Sequence, residues 1–131
     1  MRLLPDTHAL VWFAFADPLL STTARQLLED PTNEIFVSPA SYWETAIKVS
    51  LGKWSLQQPY SDMLDALGNV YGFRILHINP EHTARLLTLP HPTNHRHPFD
   101  PLLIAQALVE GLPLVSADVK FNQYGVNRVW A

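Results

Sequence analysis

Of the twelve acidic side chains in the sequence, four stand where a carboxylate could do chemistry. Asp6 closes the apolar run Leu3-Leu4-Pro5, and Asp118 follows the run Leu112 to Val115 by three residues. Glu44 falls about two turns into a helix opened by Ser38-Pro39, and Asp100 opens the helix after a histidine-rich stretch. Carboxylates gathered in one pocket cannot all stay ionised: like charges raise one another's pKa or demand a cation. Oxygen-only ligation favours Mg²⁺ or Mn²⁺ over Zn²⁺. An ion so held activates a bound water for in-line attack, a second one stabilises the leaving oxygen, and phosphodiester cleavage suits both. Another reading is open residue by residue. Asp6, Ser38, Asp100 and Asp118 all stand where helix N-caps are wanted, and spacing alone does not choose these four acids from the twelve.

The elements that must position them alternate. Arg2 to Pro5 reads as a strand, followed by a helix capped by Asp6 or Thr7 and stopped at Pro18. Ser21 or Thr22 caps a second helix reaching about Asp30. Glu34 to Val37 is a β-branched and aromatic strand, and Ser38-Pro39 opens a helix that Gly52 ends. An amphipathic helix fits Ser61 to Tyr71, a strand Phe73 to Ile78, and a helix Pro80 to about Leu87. Residues 89–99 hold three prolines and three histidines and read as a loop. A helix from Asp100 to Glu110 stops at Gly111, a strand follows over Leu112 to Val115, and Asn127 to Trp130 forms a short edge strand. This alternation predicts one α/β domain over 1–131, a parallel sheet with right-handed crossovers and helices on both faces. Ligands of such sheets bind beyond the carboxyl ends of the strands, which is where Asp6 and Asp118 fall.

With 131 residues, 47% hydrophobic and 16% charged, the composition is that of a globular domain with a real core. The absence of cysteine excludes disulfides, thiolate metal sites and cysteine nucleophiles. It suits a reducing cytosol, so a cytoplasmic protein is expected. The longest apolar stretch, Ala9 to Ala16, falls short of the roughly 20 residues a membrane span needs. The N-terminus meets Asp6 soon after two leucines, so no signal peptide is expected. The net charge of −3 argues against a nucleic-acid partner at first sight. Twelve acids less four metal-holding ones leaves eight against nine Lys and Arg, and bound cations would draw phosphate to the pocket.

Five segments stand in a telling order: Leu4-Pro5-Asp6-Thr7-His8, Ser38-Pro39-Ala40-Ser41-Tyr42-Trp43-Glu44, His95-Arg96-His97-Pro98-Phe99-Asp100, Leu103-Ile104-Ala105-Gln106-Ala107 and Leu114-Val115-Ser116-Ala117-Asp118. With the closing Tyr124-Gly125-Val126 they span essentially the whole chain, which resembles PIN domains and, among them, VapC-type toxins of bacterial toxin–antitoxin pairs. The resemblance implies a PIN fold, Mg²⁺- or Mn²⁺-dependent endoribonuclease activity on RNA, a homodimer, and an antitoxin partner that covers or enters the active site. Asp6, Glu44, Asp100 and Asp118 match the family's four acidic positions one by one. Ser116 matches a position usually held by Ser or Thr, where a hydroxyl can serve the metal or orient its ligands.

Three positions depart from that pattern. Pro5 replaces an aliphatic residue and removes a backbone donor from a central strand. His97 stands where relatives carry an Asp, and Pro101 replaces a common Arg at a place where proline suits the first helical turn. These changes raise a rival reading, a degenerate PIN domain that binds antitoxin or RNA without cutting. Two other classes lack their residues. A receiver domain needs an Asp after the third strand, here His77-Ile78-Asn79. A haloacid-dehalogenase-type phosphatase needs an Asp two residues past the first, here His8.

Further residues invite weighing. His91, His95 and His97 match no firm zinc spacing; with Arg96 they suit a loop contacting RNA phosphate. Lys48, one turn past Glu44, can hold that carboxylate or contact substrate, or form a plain i,i+4 pair of about 0.2–0.5 kcal/mol. Trp12, Phe13 and Phe15 at helical spacing read as core more than as a partner-binding patch. Trp43 reads as core packing, and Trp54, in a turn after Gly52-Lys53, as an exposed contact for a partner.

Overall fold

Side chains alternate in direction along a strand, and here that alternation builds two apolar cores. The computed structural model describes residues 1–92 and 98–131. Among them, strands β1 (Arg2–Pro5), β2 (Glu34–Val37), β3 (Arg74–Ile75), β4 (Leu114–Val115) and β5 (Arg128–Val129) form one parallel sheet in the order β3-β2-β1-β4-β5. Leu3, Ile35, Val37 and Val115 point to one face. There they meet α1 (Thr7–Ala14) and α2 (Thr22–Glu29) through Leu10, Phe13 and Leu28, and α4 (Tyr60–Asp65) through Met63. Leu4 and Leu114 point the other way, onto Leu103, Ile104 and Ala107 of α6 (Asp100–Glu110). Each such leucine, isoleucine or valine taken fully from water contributes about 1.5–3 kcal/mol. Helices therefore cover both faces, as the alternating pattern predicts.

The helix starts follow from local chemistry. Asp6 Oδ1 accepts from the Ala9 N–H at 2.9 Å and caps α1. Ser21 Oγ accepts from Ala24 at 3.0 Å to cap α2. Ser38 Oγ does so from Ala40 at 3.1 Å for α3 (Pro39–Ser50), with proline in its first turn. Helix α5 (Pro80–Leu86) starts with a capping box in which His82 takes the place of the usual Glu or Gln. His82 Nδ1 accepts from the Asn79 N–H at 3.2 Å, so its Nε2 is the donor to Glu110 Oε1 at 3.0 Å. This fully buried imidazole locks α5 to α6. Gly111, at φ 65°, ends α6 in the left-handed region that favours glycine.

Several elements differ from their sequence expectation for identifiable reasons. Strand β3 is only two residues long: beyond it the Leu76 N–H still bonds to the Val37 carbonyl at 2.8 Å, but Pro39 offers no N–H to continue the ladder, and the Leu76 carbonyl accepts from Gln106 Nε2 at 3.0 Å. Strand β4 begins at Leu114 because the Leu112 N–H is spent on the Ala107 carbonyl, closing α6. The helix expected to Tyr71 leaves α geometry at Ala66 and ends in a π-helical turn, Ala66–Val70. A 3₁₀ turn, Val119–Tyr124, follows Asp118. Pro5 is accommodated in a central strand by register. The N–H groups of Leu4 and Asp6 bond to Pro113 and Val115 of the neighbouring chain segment, so the absent proline donor lies on the β2 side. There pairing is confined to Arg2 and Leu3. Trp43 is 62% exposed, which corrects the expectation of core packing.

Candidate active site

The strand order turns at β1. One half of the chain winds outward through β2 to β3, and the other through β4 to β5. A crevice at such a switch point, beyond the carboxyl ends of the two central strands, is where open α/β sheets bind ligands. Pro5 and Val115 are register partners across β1 and β4, so the next residues, Asp6 and Ser116, stand side by side at the crevice. Ser116 Oγ donates to Asp6 Oδ2 at 2.6 Å, and the Asp118 N–H donates to the same Ser116 Oγ at 3.0 Å. Asp118 Oδ1 in turn caps the 3₁₀ turn by accepting from the Lys120 N–H at 3.0 Å. The Ser116 carbonyl is held by Arg128 Nη1 at 2.9 Å.

Burial pushes the Asp6 carboxyl up to about 7, and the negative charges of Asp100 and Asp118 add to the rise. The bonds from Ser116 and the Ala9 N–H pull the other way without cancelling it. Tyr124 is raised as well, by burial first and then by the same two carboxylates. The fold therefore brings Asp6, Asp100 and Asp118 within electrostatic reach of one another, with Tyr124 facing them.

Glu44, on α3, is buried at 1% exposure. One turn before it, Ser41 Oγ accepts from Thr7 Oγ1 at 3.1 Å, and Thr7 directly follows Asp6. The residues that precede Glu44 and Asp100 also meet: the Trp43 and Phe99 rings lie edge to face with centroids 5.3 Å apart. That contact brings the chain beside Glu44 on α3 against the start of α6. Deeper along the same helices, Ser38 Oγ donates to the buried Gln106 Oε1 at 2.5 Å. Gln106 is thus a positioning residue that the sequence motifs do not single out. A lone amide inside the apolar run Leu103 to Leu108 was the available signal.

Among the described residues, no three Asp, Glu or His side chains already form a close metal cage. The donor set still fits a hard divalent cation: all its ligands are oxygens, and Mg²⁺ is usually held by one or two carboxylates plus waters and substrate phosphate. Lys48 Nζ lies over the Trp54 ring, 5.8 Å from its centroid. Arg96, His95 and His97 lie outside the described residues, as does the phosphate contact expected of them. No helix among the described residues is long and apolar enough to cross a membrane.

Fold and site together define a doubly wound α/β domain with carboxylates gathered at its topological switch point. Residues 3–127 match the family model of the PIN domain, and the chain belongs to that family. Solved structures share its fold. One is VapBC2 from Rickettsia felis bound to a DNA fragment from its promoter, with a TM-score of 0.74, 18% identity and all of both chains covered. Another is FitAcB from Neisseria gonorrhoeae, at 0.66 and 18%, covering 98% of this chain and 96% of that one. A third is a toxin–antitoxin complex from Klebsiella pneumoniae, at 0.63 and 23%, covering 97% and 95%. No curated protein matches.

Proposed function

We propose that this PIN domain is a VapC-type toxin: an Mg²⁺- or Mn²⁺-dependent endoribonuclease that cleaves RNA by metal-activated water. The observation that carries the reading is the Asp6 carboxyl, buried and pushed up to about 7 beside Asp100 and Asp118. Burial and neighbouring negative charge disfavour the ionised carboxylate there, a condition that a divalent cation relieves. Asp6, Glu44, Asp100 and Asp118 would hold it. When bound, such an ion lowers the pKa of a water and neutralises charge building on the phosphate.

The remaining work falls to the chain. Asp6 would have to be ionised to hold the cation. Ser116 fixes the direction of one Asp6 oxygen and the backbone of Asp118 together. Trp43 against Phe99 holds the Glu44 and Asp100 segments together.

A partner antitoxin is supported by the similarity to VapBC2 and to a toxin–antitoxin complex. A homodimer and a cytoplasmic location complete the proposal, on the resemblance to VapC-type toxins.

The test is cleavage of end-labelled single-stranded RNA in Mn²⁺. The wild type should cut, while Asp6→Asn and Asp118→Asn should not, with circular dichroism unchanged. Retained cleavage by either purified variant removes that residue from the mechanism. An inactive wild type with an intact fold supports a domain that binds without cutting.

A further inference from the structure

Beside the acidic pocket lies a second cluster, of rings and lysines, that the metal chemistry does not use. His8 stands on the first turn of α1, exposed and two residues past Asp6. Its ring meets Trp12 at 5.5 Å and Trp54 at 5.3 Å between centroids. Trp12 also packs against the core and reaches Trp130 at 6.0 Å. Trp54 packs outside both apolar cores. The N–H groups of Lys53 and Trp54 both bond to the Lys48 carbonyl, at 2.9 and 3.2 Å, so the end of α3 turns the indole toward His8. Lys48, one turn past Glu44, holds its ammonium 5.8 Å from that indole. A cavity of about 280 Å³ opens here, lined by His8, Trp12, Asp17, Lys53, Trp54 and Leu56 among others.

Core formation does not call for an exposed imidazole between two indoles, nor for a half-exposed tryptophan beside a lysine. Single-stranded nucleic acid does. Bases stack on aromatic faces whatever their sequence, while cations alongside meet the backbone. At about 280 Å³ the cavity lies at the low end of the roughly 300–1,000 Å³ of small-molecule sites, and it has room for one flat ring. An amphipathic helix would need a groove several turns long. Two chain connections, Asp6 to His8 and Glu44 to Lys48, put the cavity next to the carboxylates.

We infer that His8, Trp12 and Trp54 form a stacking subsite for one unpaired nucleobase of the RNA, near the scissile phosphate, with Lys48 and Lys53 meeting the adjoining phosphates. This rests on the ribonuclease reading of the acidic pocket. The subsite supplies binding to ground state and transition state alike, so it acts on KM and leaves kcat in place.

The test is steady-state cleavage in Mn²⁺ of a short oligoribonucleotide and of versions with a single abasic position moved along the strand. For the wild type, one abasic position near the cut should raise KM by about 5- to 100-fold. Trp54→Ala should raise KM on intact RNA similarly, and the same abasic position should then add nothing further. Trp54→Phe, which keeps a ring face, should restore most of the affinity. Equal KM along the whole abasic series in wild type overturns the subsite without any variant being needed, and leaves the ribonuclease reading standing. Equal KM for Trp54→Ala and wild type does the same. A wild type that cuts no RNA overturns both readings. Unchanged KM with a changed sedimentation mass in Trp54→Ala makes the cluster a contact between copies of the chain, and overturns the subsite.

Discussion

A single hydroxyl ties Ser116 to Asp6 across the two central strands: Ser116 Oγ donates to Asp6 Oδ2 at 2.6 Å while accepting the Asp118 N–H. The bond exists because Pro5 and Val115 are paired in register, so it links the sheet to the site. Ser116→Ala removes it inside a fully buried environment. Leaving a buried polar group unpaired costs about 1–3 kcal/mol, and loss of a group that orients a metal ligand costs about 10–100-fold in affinity. Urea denaturation and Mn²⁺ titration of the variant should show both losses. A stability loss with unchanged Mn²⁺ affinity would make Ser116 a structural residue only.

The raised Asp6 carboxyl gives the metal-free protein a pH signature. Its unfolded value is 3.8 and its folded value about 7, so the folded state binds the proton more tightly. That contribution to stability is fully present below about pH 4 and is lost as pH rises through about 7. With metal chelated, stability should therefore fall between about pH 4 and 7, at up to about 1.4 kcal/mol per pH unit for this one group, and level off above that, which melting curves across the range would read. Asp6→Asn, uncharged throughout, should flatten that decline and exceed the wild type at pH 8. Parallel wild-type and variant curves would show that Asp6 does not hold its proton.

Much of this arrangement was legible in the chain. Arg2 to Pro5 and Glu34 to Val37 form strands over the expected residues because each is a short, largely apolar run that ends at a helix-capping residue, Asp6 or Ser38. Asp6 and Asp118 were visible as acids just beyond strands. What was hidden depends on contacts far apart in sequence. The Leu76 carbonyl beyond β3 finds its partner in Gln106, thirty residues on. The Ser116–Asp6 bond depends on strand register. Glu44 could be singled out only through the family motif, since nothing local distinguishes a buried helical Glu from a solvated one. Trp43 reads as core packing from the sequence but is exposed, since its ring partner, Phe99, stands just before α6, far along the chain.

Gln106 makes a prediction of its own. Its side chain accepts from Ser38 Oγ and donates to the Leu76 carbonyl, joining α6 to the start of α3 and to the segment after β3. Gln106→Leu keeps bulk but leaves those two groups without their partner, at about 1–3 kcal/mol each. The urea midpoint should fall with little change in slope. Cleavage should fall too, since α3 carries Glu44 and α6 carries Asp100. A variant as stable as wild type would mean that water replaces the amide.

Proton and metal should compete for the same carboxylate. An ion bound at Asp6 must displace the proton that burial and the neighbouring acids keep there up to about pH 7. Below that value each pH unit lost should weaken Mn²⁺ binding by about tenfold for one displaced proton, and above it the dependence should level off. Calorimetry at about pH 5.5, 6.5 and 8, in buffers of different ionisation enthalpy, reads both the affinity and the protons released. Asp100→Asn removes one of the charges that raise Asp6. Its pH dependence should therefore shift to lower pH, even as the lost ligand weakens binding overall. Affinity that is level from pH 5.5 to 8, with no proton release, would mean that the ion binds without Asp6.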